Sequence, residues 1–473
     1  LRFVTGEGCL PTAEFILDRL MDDFRALLAE LPRPSNDIGL PDQAWYWAAP
    51  ILLDLESDGS RTREFLEDMR AEDPADPSDE GDGEQQATQW ERCLETAGAL
   101  LDGSYDLGPQ PEDLAEVLAA MSLGGFGNTA YRALARRGDH EPRLDSEFIR
   151  IDALRVALSL RALFNLPHST HLLQALQTPG SNTGRDALWR ESLDYCIAGN
   201  LQAVLDEFAH LIPEQRGLSG NADHEVVANR VADVMTEAIG LRTTNTSATF
   251  FDVGSNGEVA TENKRLRTRF AIPFVTGQSD DAQDVERVEH VREAFNSPFW
   301  PFVLTSTSVG QEGLDFHLYC HAVVHWNLPS NPVDLEQREG RVHRYKNHAV
   351  RRNLAQEFAE RALASNEPSG SDPWHRLFRF GVENRPEDQT ELWPFWIFTP
   401  SNGTAFHIER HVMAMRLSRD EAKLRDLLKC LVLYRSVLGQ PRQEDLVAAL
   451  EGSSIEDLEK FSLKTRIDLS PAD

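Results

Sequence analysis

The pattern of apolar and polar positions predicts helical segments towards both ends of the chain and an α/β segment between them. Apolar residues recur at helical spacing in 14–31, 149–211 and 420–438. After about residue 248, short apolar runs alternate with helical stretches, and these runs are 248–253, 270–275, 301–304 and 322–326. Because strands that alternate with helices are typical of βαβ units, we expect a mostly parallel sheet here.

The same pattern divides the chain into segments. We expect an acidic helical region at 1–148, a helical region at 149–244, an α/β domain at 245–360 and a mainly helical C-terminal extension at 361–473. A disordered linker is predicted near 71–89, since 71–84 holds seven acidic residues, two prolines and no basic residue.

Composition narrows the class of protein. Hydrophobic residues make up 41% of the 473 residues, which is enough for buried cores and excludes a chain that is disordered throughout. The longest apolar run, 44–55, is interrupted by Asp54 and is too short to cross a bilayer, and no export signal is visible. The five cysteines lie far apart, which argues against a disulfide framework and indicates a cytoplasmic protein without a membrane partner.

The net charge of −30 argues at first against nucleic acid, because phosphate binding usually leaves a basic footprint. The acidity is unevenly distributed, however. Residues 1–150 hold 13 basic and 32 acidic residues, whereas residues 245–353 hold 12 and 14. A nucleic-acid partner is therefore not excluded for the α/β segment, and the acidic helical regions are expected to avoid phosphate or to bind a basic protein.

The residues that suggest chemistry are concentrated in 302–353. A predicted buried strand, Phe302–Leu304, leads into a Ser/Thr/Gly turn, and the strand 322–326 leads through a proline-bounded loop to a helix that starts near Val333. This helix is expected to carry Gln337, Gly340, Arg341 and Arg344. Positions 337, 341 and 344 are four and three apart, so they would share one face. Two guanidinium groups on one face suit binding of a phosphate.

These motifs resemble those of superfamily 2 helicases and translocases. Ser306–Phe316 resembles motif V, and Gln337–Arg344 (Q-x-x-G-R-x-x-R) resembles motif VI. The linking segment His325–Gln337 is similar to that of the Swi/Snf-like branch, and residues 276–278 and 291–296 resemble the "G … R … F-N" segment before motif V. The resemblance covers about residues 248–353 and implies the second RecA-like parallel-sheet domain of such a motor.

The resemblance implies roles in ATP chemistry. Arg341 and Arg344 would be arginine fingers that stabilise charge on the γ-phosphate of ATP, with ATP and Mg²⁺ held mainly by the first RecA-like domain. Gln337 would orient the helix or contact the nucleotide, beside Gly340. Asp315 would couple motif V to the nucleotide or to motif VI, although the Swi/Snf-like pattern usually has Asn at this position.

Other residues are candidates for contact with nucleic acid. By resemblance, Thr307 and Ser308 would contact the nucleic-acid backbone, and Gly313 would permit the tight turn of motif V. Two basic groups have two open interpretations, a solvated face or a phosphate contact. They are Lys264, Arg265, Arg267 and Arg269, which crowd the entry to one predicted strand, and Lys346, Arg351 and Arg352, which follow the predicted motif VI.

The phosphate-binding loop of an ATP motor, G-x-x-x-x-G-K-[ST], requires a Gly-Lys dipeptide, and the chain has none. Gly124–Thr129 is glycine-rich but lacks the lysine, which favours a turn that begins a helix. Asp206–His210 resembles an Asp-Glu box, but its apolar neighbours have helical spacing. We therefore expect the first motor domain to lie upstream and this chain alone not to hydrolyse ATP.

Two further clusters have other interpretations. His317, Cys320, His321 and His325 have spacings that a zinc site could use, but no paired Cys-x-x-Cys accompanies them, and no metal site is predicted. A run of aromatic residues is more typical of the core of an accessory subdomain than of a base-stacking surface. Its members are Trp374, Phe378, Phe380, Trp393, Phe395, Trp396 and Phe398.

The sequence thus predicts the C-terminal part of an ATP-dependent nucleic-acid helicase or translocase, with double-stranded DNA as the preferred track. The alternative is a non-catalytic regulatory or protein-interaction module that retains a helicase-like scaffold.

Overall fold

A computed structural model describes most of the chain. The described residues are 12–31, 39–71, 83–136, 146–176, 185–218, 223–240, 244–253, 259–268, 291–305, 315–364, 372–387, 389, 391–401, 403–413, 417–436, 454, 456, 457 and 460. The chain divides into two compact units, with the main boundary between Arg242 and Thr243.

The described part of the first unit is helical. Its helices are α1 (Ala13–Glu30), α2 (Trp45–Ala71), α3 (Gly83–Leu101), α4 (Leu114–Gly124), α5 (Phe126–Ala135), α6 (Glu147–Phe164), α7 (Pro167–Leu176), α8 (Arg185–Ala198), α9 (Leu201–Gln215) and α10 (His224–Ile239). Side-chain caps start several of them, as where Thr12 accepts from the Phe15 amide and Asp223 from the Glu225 amide.

Small residues bring the helices of this unit together. Ala130 and Ala133 of α5 and Ala232 and Ala238 of α10 are fully buried. Larger side chains fill the remaining space, including Val156, Leu160, Leu205, Phe208 and Met235. Burial of such side chains contributes roughly 1.5–3 kcal/mol each to folding.

Several local predictions for this unit are confirmed. Residues 14–30 and 201–211 are helical, and Asp206–His210 lies inside α9. Gly125 separates α4 from α5, so Gly124–Thr129 does begin a helix. The predicted linker needs a correction, because α3 begins at Gly83 and residues 83–89 are helical. Residues 72–82 of that linker lie outside the described residues.

The described part of the second unit combines two small sheets with helices. Strands β1 (Thr244–Val253) and β2 (Val259–Thr268) pair antiparallel, and β3 (Ala322–His325) and β4 (Glu409–Val412) pair parallel. The helices include α11 (Pro332–Glu339), α12 (His348–Ala364), α13 (Pro373–Glu383) and α14 (Asp420–Ser436), and residues 291–295 are also helical. The helix content is thus high, with a small parallel sheet.

The strand predictions for this unit have mixed outcomes. Residues 322–325 form β3, as expected, and residues 248–253 lie in β1. β1 pairs antiparallel with β2, however, so this part is a hairpin and not a βαβ unit. Residues 301–305 form no strand, and the side chains of Phe302 and Val303 are 78% and 77% exposed. The predicted buried strand at Phe302–Leu304 is therefore wrong, because this apolar run has no partner strand among the described residues.

The aromatic run after α12 forms a core, as the sequence favoured. Val350, Leu354 and Phe358 of α12 pack with Leu377, Phe378 and Phe380 of α13 and with Phe398. Trp374, Trp393 and Phe395 pack against this cluster while partly buried. Asn353 holds the segment in place, since its side-chain amide donates to the carbonyl oxygens of Phe398 and Phe406 at 3.0 Å each.

Candidate functional site

Helix α11 carries the start of the predicted motif VI. Asn331 caps it by accepting a hydrogen bond from the Val333 amide at 2.9 Å, and Pro332 occupies the first turn, where its missing N–H costs nothing. The Asn-Pro pair therefore sets where the helix begins. Gln337 lies on this helix with its side chain exposed.

The helix ends earlier than the spacing of the arginines predicted. Its C-cap is Gly340, whose amide donates to the Glu336 carbonyl at 2.7 Å. Beyond it, the amides of Val342 and His343 both turn back to the carbonyl of Glu339, at 3.0 and 2.9 Å. Arg341 and Arg344 thus lie in turns after α11, and the prediction that they share a helix face with Gln337 is wrong.

A contact with the end of the predicted motif V explains why α11 ends early. The amide of Phe316 donates to the carbonyl of Arg341 at 2.9 Å, and the amide of His348 donates to the carbonyl of His317 at 2.9 Å. The backbone around residues 341–348 is therefore bonded to residues 316 and 317, which are distant in sequence. Such non-local hydrogen bonds replace those that a longer helix would make.

The side chains of the two motifs also meet. Arg344 Nε donates to Asp315 Oδ1 at 2.8 Å, and the two side chains are 45% and 49% exposed. At this exposure the ion pair contributes about 0–1 kcal/mol to stability. Among the predicted site residues, Asp315 and Arg344 are in direct side-chain contact. Arg341 contacts Phe316, the residue after Asp315, through a backbone hydrogen bond.

The segment that resembles the upstream "F-N" element contacts the same place. Asn296 Nδ2 donates to the carbonyl of Asp315 at 2.6 Å. The ring of Phe295 meets that of Phe316 edge-on, with centroids 5.5 Å apart. Phe295 and Asn296 therefore contact Phe316 and Asp315, the last two residues of the predicted motif V. These contacts fix the position of Asp315.

Glu339 is a residue of this site that sequence reasoning missed. Arg410 of β4 donates to both of its carboxylate oxygens, with Nη2 to Oε2 at 2.6 Å, and His325 Nε2 lies 3.2 Å from Oε1. Burial raises the pKa of Glu339, but the hydrogen bonds from Arg410 and His325 outweigh it and lower that pKa to about 2. The carboxylate is thus ionised at neutral pH and ties α11 to β3 and β4.

The basic cluster after motif VI divides into residues of different roles. Arg351 is 1% exposed, and its guanidinium donates to the carbonyl oxygens of Lys346 (2.9 Å) and Leu318. It is thus part of the core and does not offer its charge to a phosphate. Arg352, the next residue, is exposed and stacks over the ring of Phe406 at 3.6 Å.

Two histidines beside the site are held neutral. Burial lowers the pKa of His317 to about 4, with Arg351 and Arg344 lowering it further and Asp315 raising it. Burial also lowers the pKa of His348 to about 4, and Arg351, His321 and Arg352 add to this effect. Among the described residues, no three His, Cys, Asp or Glu side chains converge as metal ligands.

The remaining predicted site residues lie elsewhere or outside the described residues. Thr307, Ser308 and Gly313 are outside the described residues. Lys264 and Arg265 lie on β2, opposite Ala248 and Ser247 of β1.

Comparison with known proteins gives a family match for one part of the chain. Residues 241–346 match the family model of the helicase conserved C-terminal domain. This match supports the expected helicase C-terminal domain in the segment that holds the predicted motifs V and VI, and it implies a RecA-like fold there. No curated protein and no solved structure matches the chain. Within the part of the chain that the structure describes, no helix has the length and apolar character needed to span a membrane.

Proposed function

We propose that the second unit is the second RecA-like domain of an ATP-dependent nucleic-acid translocase or helicase of superfamily 2, in the Swi/Snf-like branch. The observation that carries the proposal is the contact between the two motifs, where Arg344 meets Asp315 at 2.8 Å and Phe316 meets Arg341 at 2.9 Å. Residues that are distant in sequence but resemble one functional pair are adjacent in space, inside the segment that matches the helicase C-terminal domain.

Arg344 is suited to exchange partners during an ATP cycle. Its guanidinium pairs with one carboxylate through Nε and is 45% exposed. Exchange of this carboxylate for a phosphate would break no buried network, unlike loss of Arg351 from its two carbonyl partners. Arginine also binds phosphate through two parallel N–H bonds.

In the proposed mechanism, a first RecA-like domain binds ATP and Mg²⁺, and closure of the two domains brings Arg344 and Arg341 to the γ-phosphate. Their positive charge stabilises the charge that spreads over the transferring phosphoryl group. Gln337 and Gly340 position this turn. Asp315 releases Arg344 when the domains close, which couples motif V to the nucleotide.

Thr307 and Ser308 of motif V, with Gly313 at its turn, would follow the backbone of the nucleic acid, together with Lys264 and Arg265 of β2. We propose double-stranded DNA as the track, on the resemblance of the 325–337 segment, and a cytoplasmic location. The acidic first unit would remain away from the phosphates or bind a basic protein.

The test is nucleic-acid-stimulated ATP hydrolysis by the complete gene product. Arg344→Ala is expected to lower kcat by about 10³-fold, since an arginine finger contributes roughly 10³–10⁵. Arg338→Ala is the matched control, because Arg338 lies on α11 and donates to the carbonyl of Asn327; its kcat should change by less than about threefold. Equal activity of Arg344→Ala and the parent protein would show that the finger assignment is wrong.

The alternative function is a non-catalytic regulator that keeps a helicase-like scaffold. This alternative is favoured by the ion pair between Arg344 and the carboxylate of Asp315. The Swi/Snf-like pattern usually has Asn at position 315. Asp315→Asn separates the two proposals, because it removes the competing charge but keeps the size of the side chain. In a motor this variant should hydrolyse ATP about two- to fivefold faster, as less energy is needed to release Arg344. A regulator would show no hydrolysis with either side chain.

A further inference from the structure

A cleft of about 450 Å³ lies at the start of α12 in the second unit. Three imidazoles, from His321, His348 and His407, line it together with the guanidinium of Arg352. Glu409 is the acidic residue in this lining. None of these residues belongs to the predicted motifs V and VI, although Arg352 is one of the basic residues that follow motif VI.

The walls of the cleft are fixed by hydrogen bonds. The amide of Glu409 donates to the carbonyl of His321 at 2.7 Å, which extends the pairing of β3 and β4 to the floor of the cleft. The amide of Phe406 donates to Asn353 Oδ1 at 2.8 Å, and Asn353 itself is 2% exposed. The segment that carries Phe406 and His407 is therefore attached to α12 before any ligand binds.

Arg352 contacts an aromatic ring of the cleft lining. Its guanidinium lies over the ring of Phe406, with Cζ 3.6 Å from the centroid. Four other arginines of the unit have carboxylate partners, and these are Arg344, Arg361, Arg379 and Arg410. Arg352 has no such partner among the described residues, although the chain carries a net charge of −30. Stacking on a ring restricts a guanidinium and leaves the N–H groups at its edge available for hydrogen bonds.

Arginines and the start of a helix lie close to the cleft. Burial and the nearby Arg351, His321 and Arg352 lower the pKa of His348 to about 4. Glu409 Oε2 lies 2.9 Å from His411 Nε2, so the Glu409 carboxylate has a hydrogen-bond partner outside the cleft lining. The first turn of α12 adds the positive end of a 17-residue helix, with Ala349 in the lining.

We propose that this cleft binds a phosphate group, supplied either as a free phosphate or as the phosphodiester of a nucleic acid. A guanidinium with a free carboxylate-binding edge, imidazoles that can donate, and a helix amino end are the groups that proteins use to bind phosphate. The proposal does not depend on the function proposed above, because it uses no residue of the two motifs.

The experiment is calorimetric titration of the chain with inorganic phosphate. Arg352→Gln removes the guanidinium and its charge but leaves a polar side chain at this position, and it should weaken phosphate binding about tenfold or more. Glu409→Gln removes the acidic group from the lining and should strengthen binding about two- to fivefold. Arg379→Ala is the control outside the cleft and should leave the affinity unchanged, since Arg379 pairs with Glu383 on α13.

A second titration with a DNA duplex distinguishes the source of the phosphate. If Arg352→Gln weakens duplex binding and free phosphate competes with the duplex, the cleft takes a backbone phosphate. If only free phosphate responds to Arg352→Gln, the cleft takes a small phosphate ligand. Either response supports the proposal. The proposal would be overturned if the parent chain did not bind phosphate at millimolar concentration. It would also be overturned if the parent chain, Arg352→Gln and Glu409→Gln bound phosphate equally. The measurement on Glu409→Gln does not depend on the stability of an arginine variant.

Discussion

Glu339 and Arg410 illustrate how single residues of this site are held by partners that are distant in the sequence. Glu339 directly precedes the Gly340-Arg341 pair of the predicted motif VI, and both of its carboxylate oxygens accept from Arg410. His325 Nε2 lies 3.2 Å from the same carboxylate. The three side chains join the end of α11 to the sheet, just before the turn that carries the two arginines.

We expect Glu339→Gln to lower the free energy of unfolding by about 1–3 kcal/mol at pH 7, because it leaves Arg410 without its charged partner. The folded-state pKa of Glu339, about 2, lies below its ordinary value of 4.5. The stabilisation is therefore complete above pH 4.5 and is lost as the pH falls towards 2.

Urea denaturation of both proteins at pH 7, 5 and 3 measures this difference. Asp426→Asn, on the exposed face of α14, is the control and should cost less than about 0.5 kcal/mol at each pH. A difference between Glu339→Gln and the parent protein that grows as the pH falls would contradict the assignment.

Much of what could be predicted at the residue scale was local in the sequence. The Asn331-Pro332 pair predicts the start of α11, since the cap and the first turn are adjacent to each other. The end of α11 could not be predicted in the same way, because the carbonyl of Arg341 is bonded to Phe316. Arg410 had no local signal either, as it joins Glu339 only through the pairing of β3 with β4.

At the scale of elements, the packing of α12 on α13 depends on a position that has no side chain. Gly381 of α13 faces Leu354 of α12 and Pro394, and a Cβ atom there would lie 2.9 Å from Leu354 Cδ2 and 2.7 Å from Pro394 Cγ. These distances are shorter than van der Waals contact, and Leu354 is fully buried. The glycine is thus required by the close approach of the two helices.

Gly381→Ala should therefore destabilise the protein by about 1–3 kcal/mol, as overpacking of a core does. Gly127 of α5 provides a matched control, since nothing lies within 4 Å of a Cβ atom built there. Gly127→Ala should stabilise by about 0.5–1 kcal/mol or have no effect. Thermal unfolding of both variants checks the pair, and equal shifts of Tm in the same direction would contradict it.

The pairing of elements explains why the strand at 322–325 was predicted correctly and the strand at 302–304 was not. Residues 302–304 and 322–325 are both short and mainly apolar, so the hydrophobic pattern alone predicts a strand at each. The run at 322–325 has β4 as its partner, whereas 301–305 forms no strand. An apolar run becomes a strand only when a second strand supplies its hydrogen bonds, and that partner is set by the fold.

At the scale of the whole molecule, the segment that matches the helicase C-terminal domain is smaller than the unit that folds around it. The match ends at residue 346, but the amide of Lys346 donates to the carbonyl of Phe395 at 2.8 Å. β3 pairs with β4, and Leu335 of α11 packs with Leu427 of α14. The C-terminal extension is therefore part of the same core.

A chain that stops at Lys346 should lose backbone protection in β3, because its hydrogen-bond partner β4 is removed. A chain that stops at Ser436 keeps both strands and α14 and serves as the control. Hydrogen–deuterium exchange of residues 322–325 measures the effect, and we expect protection to fall at least about tenfold in the shorter chain only. Equal protection in both chains would show that β4 is not needed to order β3.

The pairing of β3 with β4 also has a consequence for the order in which the nascent chain folds. Glu409 follows His325 by 84 positions, with α11, α12 and α13 in between. At about 5–20 residues per second, the ribosome exposes β3 roughly 4–17 s before its partner strand. During this interval α12 and α13 can already pack, because their contacts are local. The helical core should form first, and the sheet beside motif VI should be completed only when β4 and Arg410 emerge.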